Sequence, residues 1–146
     1  MIRNSAKRNT GLKQLLETYG ISIDRPGIYE FAPISLPWFS NDFKTNIEIE
    51  LIKDEKNKGY VFHVLLVPDF EGIVERTVVL AAEMDTMFDL KDMLIDRKIR
   101  EYLIPDIDGI DSSENHNAYV IKDSTIFLTT LETLLNQLTT REPIFF

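Results

Sequence analysis

The segment that most restricts the fold runs from residue 45 to residue 68. From Thr45 to Lys53, Ile47, Ile49 and Leu51 alternate with Asn46, Glu48 and Glu50. Successive side chains of a strand point to opposite faces, so this spacing predicts a strand with one buried and one wet face. The polar run Asp54-Glu55-Lys56-Asn57-Lys58-Gly59 reads as a hairpin loop. Tyr60–Val67 is apolar on both faces and reads as a central strand, which Pro68 ends because proline cannot donate to a ladder. An antiparallel sheet is therefore the scaffold that the rest of the chain must cover.

The flanking segments extend that sheet and supply its cover. Leu12, Leu15, Leu16 and Tyr19 fall on one helical face and predict a helix over 6–19, with Gly20 at its C-terminal end. Residues 28–32 and 76–82 read as two further strands, separated from the hairpin by a long loop and by the turn Asp69-Phe70-Glu71-Gly72. Met87, Phe88, Leu94, Ile95, Ile99, Tyr102 and Leu103 suggest the broad apolar face of a helix over 86–103, started by Asp85 and stopped by Pro105. A short strand at 118–122 precedes a last helix from Ser124 to about Thr140. The expected order is α-β-β-β-β-α-β-α. This is an α+β fold, a two-layer sandwich in which three helices cover one face of an antiparallel meander of four to five strands, with Glu48 and Glu50 pointing away from the helices. Residues 1–146 are expected to form a single domain, with 1–9 as a loose basic arm and 141–146 as an apolar tail.

Composition narrows the chemistry. Hydrophobic residues make up 44% of the chain and charged residues 27%, the profile of an ordinary globular domain. With no cysteine, the chain has no disulfide, no thiol nucleophile and no thiolate metal site. No signal-peptide pattern follows the first basic residues, and the most apolar run, residues 60–68, is about half the roughly 20 residues of a membrane helix. A cytoplasmic location, with no membrane partner, is the expectation. The formal charge is −8, and residues 1–16 carry four cations and no acid. The remainder is strongly acidic and repels a phosphate backbone at long range, so general nucleic-acid binding is not expected.

No motif commits the chain to catalysis. The glycines form neither GxGxxG nor a P-loop. Glu50 and Lys53 face opposite sides of a strand, which argues against a carboxylate–lysine nuclease. His63 reads as a core or rim histidine and His116 as a surface one. Asp106, Asp108 and Asp111, spaced about Gly109, are the weak candidates for a divalent cation, although the spacing departs from that of an EF-hand. No cofactor is expected.

Binding features remain. Asp85, Asp89, Asp92 and Asp96 step along the expected second helix as an acidic stripe, suited to a basic protein surface. The connection 33–43 carries Trp38, Phe39 and Phe43 after two prolines, Pro33 and Pro37, that limit its freedom; it can either plug the core or present its rings to a partner. Phe145 and Phe146 end the chain and should dock on this molecule or on another. The expectation is a non-catalytic acidic protein-binding protein, of immunity, inhibitor, chaperone or adaptor type, that docks a protein partner through the acidic helix face and the aromatic loop. The alternatives are a structural subunit of a phage or secretion-type assembly, with homo-oligomerisation possible, and a divalent-metal-dependent hydrolase.

Overall fold

A computed structural model describes residues 11–72, 75–103, 110–112 (backbone course only) and 117–146. Helix α1 covers 11–18, followed by β1 (Gly27–Glu30), β2 (Ile34–Ser35), β3 (Lys44–Asp54), β4 (Gly59–Pro68), β5 (Thr77–Asp85) and β6 (Leu90–Asp96). Helix α2 (Arg97–Leu103), β7 (Ile110–Ser112), β8 (Ala118–Ile121), α3 (Ser124–Leu135) and β9 (Ile144–Phe145) complete the order. The strands form one sheet in the order β7-β8-β6-β5-β4-β3-β1-β9, with β2 also paired to β3. Every pairing among the described strands is antiparallel. The α+β arrangement with three helices and an antiparallel sheet matches the expectation; the sheet has more strands than the four to five expected.

The β3–β4 hairpin is the centre, in register from Thr45↔Pro68 to Asp54↔Gly59. Asp54 closes it, its carboxylate accepting from the Asn57 backbone N–H and side-chain amide at 3.2 and 2.9 Å. Ile47, Ile49 and Leu51 share a buried face with Phe62, Val64 and Leu66 of β4, Leu80, Ala82 and Met84 of β5, and Met93 and Ile95 of β6. The helices add Leu12 and Leu16 of α1, Ile99 of α2, and Phe127, Leu131, Leu134 and Leu135 of α3 to the same cluster. Phe127 meets Phe62 edge to face at 6.4 Å. Asp123 caps α3, its carboxylate accepting from Thr125 N at 2.8 Å.

Gly20 ends α1 with φ +75. Ile21 N donates to Leu16 O and Gly20 N to Glu17 O, the bond pair of a Schellman motif. A Cβ at Gly20 would sit 2.8 Å from Pro143 Cδ, so the glycine also lets the C-terminal segment close over the helix end.

The expected helix over 86–103 is the main correction. Its first three turns are instead a tight turn and strand β6. Asp85 does not cap a helix: its carboxylate accepts from Met87 N at 2.8 Å and Asp89 N at 3.1 Å, folding the chain back on itself. Phe88 takes φ 63 in this turn. Met93 and Ile95 then pair with Ala82 and Leu80 on the buried face. An unpaired β5 edge offered β6 a full ladder of backbone hydrogen bonds, and that tertiary gain overrode the helical spacing of its apolar and acidic residues. Helix formation begins later, at Arg97, where the Asp96 carboxylate accepts from Lys98 N and Ile99 N.

Candidate functional site

The described helices place their buried residues on one face of the sheet. The opposite face carries the alternate residues of each strand, and the register shows which of them are neighbours. One row across the strands reads Ile28, Glu50, His63, Ala81, Leu94, Val120. A second reads Ile144, Glu30, Glu48, Leu65, Val78, passing a β-bulge between Val64 and Leu65. A third reads Ile52, Val61, Glu83, Asp92. Ile52, Val78, Leu94 and Val120 are 41, 44, 39 and 37% exposed. These four are large apolar side chains on sheet positions, and with Val61 and Ala81 they make an apolar stretch, while Leu65 in the row of Val78 is buried. Val61, His63, Ala81, Glu83, Asp92 and Leu94 line a shallow depression in it, of about 190 Å³.

The stretch is flanked by carboxylates. Glu83 and Asp92 are paired in register at one side. At the other side Glu30 lies directly opposite Glu48, and Glu50 is two residues along the same strand. Glu48 and Glu50 do point away from the helices, as their alternation requires. Glu48 is nevertheless not solvated: it is 4% exposed. Arg76 Nη1 approaches its Oε2 at 3.6 Å, outside hydrogen-bonding reach, and Oε2 has no hydrogen-bond partner among the described residues. Burial pushes the Glu48 carboxyl up from its ordinary value; the Arg76 guanidinium pulls it back, and the Glu30 and Glu50 carboxylates push it up further. A carboxyl raised in this way meets the cost of burial by keeping its proton, in a hydrogen bond that the adjacent Glu30 can accept.

The other candidates are dispersed. Asp85 and Asp89 lie in the β5–β6 turn, Asp92 lies on the open face, and Asp96 caps α2, so the acidic stripe along one helix does not exist. The connection 33–43 divides its roles. Ile34 and Leu36 are buried in the core, and Trp38 and Phe39 are half-buried and packed against it. Trp38 stacks on Tyr102 of α2 at 5.7 Å and meets Phe39 edge-on at 6.3 Å, and Lys98 Nζ lies 5.5 Å from the Phe39 ring. Phe43 packs on Phe70 at 4.3 Å. Phe145 docks on this chain, 4.9 Å from Tyr29 and under the Arg25 guanidinium at 3.8 Å. Phe146 is exposed, but its backbone pairs with Ile28.

Asp106, Asp108 and His116 lie outside the described residues. Asp111 falls in β7, opposite Val120. Among the described residues no group of three or more His, Asp or Glu is placed to hold a metal ion. None of the described helices is long and apolar enough to cross a membrane.

The rows on the open face were not visible in the sequence. Glu30, Arg76, Val78 and Val120 become neighbours of Glu48, Leu65 and Leu94 only through strand register. The alternation of Glu48 and Glu50 was the one local sign of this face, and it pointed to a wet surface. Comparison with protein-family models, with curated proteins and with solved structures returns no match to this chain.

Proposed function

We propose that this is a non-catalytic binding protein that docks a protein partner over the open face of its sheet. The observation that carries this reading is the run of exposed apolar side chains Val78, Leu94 and Val120 around Ala81, with carboxylates on two sides. A sheet with one apolar face normally buries it against a second layer, and contiguous apolar surface is a mark of interaction sites. The acidic flanks favour a basic partner and raise its rate of encounter more than its final affinity. Docking therefore moves from the expected acidic helix face to the sheet. The aromatic group of Trp38, Phe39 and Tyr102 is a second contact surface in this reading, since rings of this kind supply many binding hot spots. The alternative, an assembly subunit, drew on the basic arm at 1–9, which lies outside the described residues, and on the apolar tail, whose Phe145 is docked on its own β1.

The test is affinity purification from the native source with the intact protein and with the double variant Val78→Glu, Leu94→Glu. Both positions are exposed, so the variant should fold. A specific protein captured by the former and lost with the latter supports the reading. The same proteins recovered with both would overturn it.

A further inference from the structure

We infer that Trp38, Phe39 and Tyr102, with Lys98 beside them, form a site for a small ligand that joins a flat ring to an anion, of the class of a nucleoside monophosphate. The inference goes beyond the docking reading above: it assigns a ligand to the aromatic group and leaves the open face as it stands. Pro37, Trp38, Phe39, Asn41, Lys98 and Tyr102 line one cleft of about 610 Å³, a size usual for a small-molecule site. Trp38 and Tyr102 stack at 5.7 Å with their planes 23° apart, and Phe39 meets Trp38 edge-on at 6.3 Å. Tyr102 is 57% exposed, and Trp38 and Phe39 are half-buried, so the rings keep surface open to the cleft. Their mounting is firm. Leu36 is fully buried, and Phe39 N and Ser40 N both donate to its carbonyl at 2.9 Å. This turn, with the fixed φ of Pro37, holds the rings before a ligand arrives and lowers the cost of binding one.

Lys98 is the one charged side chain among the residues lining this cleft, and its Nζ lies 5.5 Å from the Phe39 ring. It stands one helical turn before Tyr102 on α2, so both fall on one side of the helix. Lys98 also lines the neighbouring cleft, of about 590 Å³, where Arg76 and Arg97 stand with Asp96 and Glu101. Asp96 is engaged there, its carboxylate accepting from Lys98 N and Ile99 N. Arg97 is held in place, its Nη1 donating to Tyr119 Oη at 3.1 Å. The ring platform thus adjoins three cations in a chain whose net charge is −8. A nucleotide uses both parts of this arrangement. Its base extends the Trp38–Tyr102 stack, and its phosphate accepts a charge-assisted hydrogen bond from Lys98. The Asn41 amide can donate to and accept from the edge of the base or the ribose. A nucleic-acid strand shares this chemistry, but the acidic body repels a long phosphate backbone, so the single nucleotide is the better match.

Trp38 is the only tryptophan, so its fluorescence reports on this cleft alone. The full chain is titrated with AMP, adenosine and ribose 5-phosphate, with affinities taken in parallel by calorimetry. AMP should quench Trp38. Adenosine, which lacks the anion, and ribose 5-phosphate, which lacks the ring, should each bind about tenfold or more weaker. Lys98→Gln should weaken AMP binding by about the same factor and leave adenosine unchanged, and Lys98→Arg should restore it. Tyr102→Ala should weaken AMP and adenosine alike. Both side chains are exposed, so these variants should melt with the natural protein. Equal binding of AMP and adenosine, or of AMP and ribose 5-phosphate, would overturn the site. So would the absence of both quenching and heat at millimolar ligand, since the rings would then serve only to pack on the core. Tighter binding of an oligothymidylate than of AMP, or a response to a proline-rich peptide alone, would give the platform to a macromolecule and overturn the small ligand. None of these results touches the Val78→Glu, Leu94→Glu test, so the two readings fail separately.

Discussion

Leu94 and Ile95 are adjacent in β6, and the helical spacing placed both on one apolar face. The sheet separates them. Ile95 is fully buried under the helices, whereas Leu94 is 39% exposed on the open side. Truncating either to alanine removes three carbons, a transfer term of about 2.4 kcal/mol for complete burial at about 0.8 kcal/mol per methylene. At position 94 the exposed share reduces this to about 1.5 kcal/mol as an upper value, and solvent fills the space so no cavity term is added. At position 95 the cavity adds to the transfer term, giving about 3–5 kcal/mol. With a urea slope of about 2 kcal/mol/M, the two midpoints should differ by about 1 M. Urea unfolding followed by circular dichroism measures this directly. Equal losses at the two positions would mean that both side chains are covered, as on a helix or beneath a further layer, and the open face would then not exist.

Four further outcomes follow from single contacts. Glu48→Gln should stabilise the protein at neutral pH, because the Glu48 carboxyl is raised above its unfolded value and its ionised form is the disfavoured one. For such a group the stability is fully present below the unfolded pKa and is lost as pH rises through the folded one, so the variant's advantage in melting temperature should vanish on acidification below about 4.5. Gly20→Ala should cost at least about 1 kcal/mol, roughly 2–4 °C in a melt, through its left-handed backbone and the contact with Pro143. Asp123→Ala should cost about 0.5–2 kcal/mol by leaving the first turn of α3 uncapped, read by denaturant unfolding. Asp85→Ala should lower stability by removing the two turn bonds to Met87 and Asp89, with faster amide exchange at those residues as the local readout.

The parts of the fold that the sequence made legible were those where local chemistry and tertiary demand agree. Ile47, Ile49 and Leu51 alternate, and they are buried on one side of β3; Gly20 and Asp123 stand where helix ends need them. Residues 85–103 misled because two patterns overlap there. Met93 and Ile95 alternate as a strand requires, yet Leu94 beside them also completes a helical stripe. Only the free edge of β5, set by residues up to forty positions away, decides between them. The open face was hidden for a related reason. A charged residue on an alternating strand ordinarily lies in water, and nothing local to Glu48 indicates that it is buried beside Glu30.

The two faces of the sheet make different demands on the same strands. On the covered face, Ile49, Phe62 and Leu80 gain stability by excluding water, and any hydrophobic side chain of suitable volume would serve. On the open face, apolar side chains gain little while no partner is present, and scattered ones would need no explanation. Val78, Ala81, Leu94 and Val120 are instead contiguous across three strands. Such a surface invites any sticky neighbour, including another copy. The carboxylates at its two sides restrict that choice, because a like-charged face meets them with repulsion and desolvation cost. In the proposed docking reading, apolar area supplies affinity and the exposed carboxylates beside it bias the choice of partner.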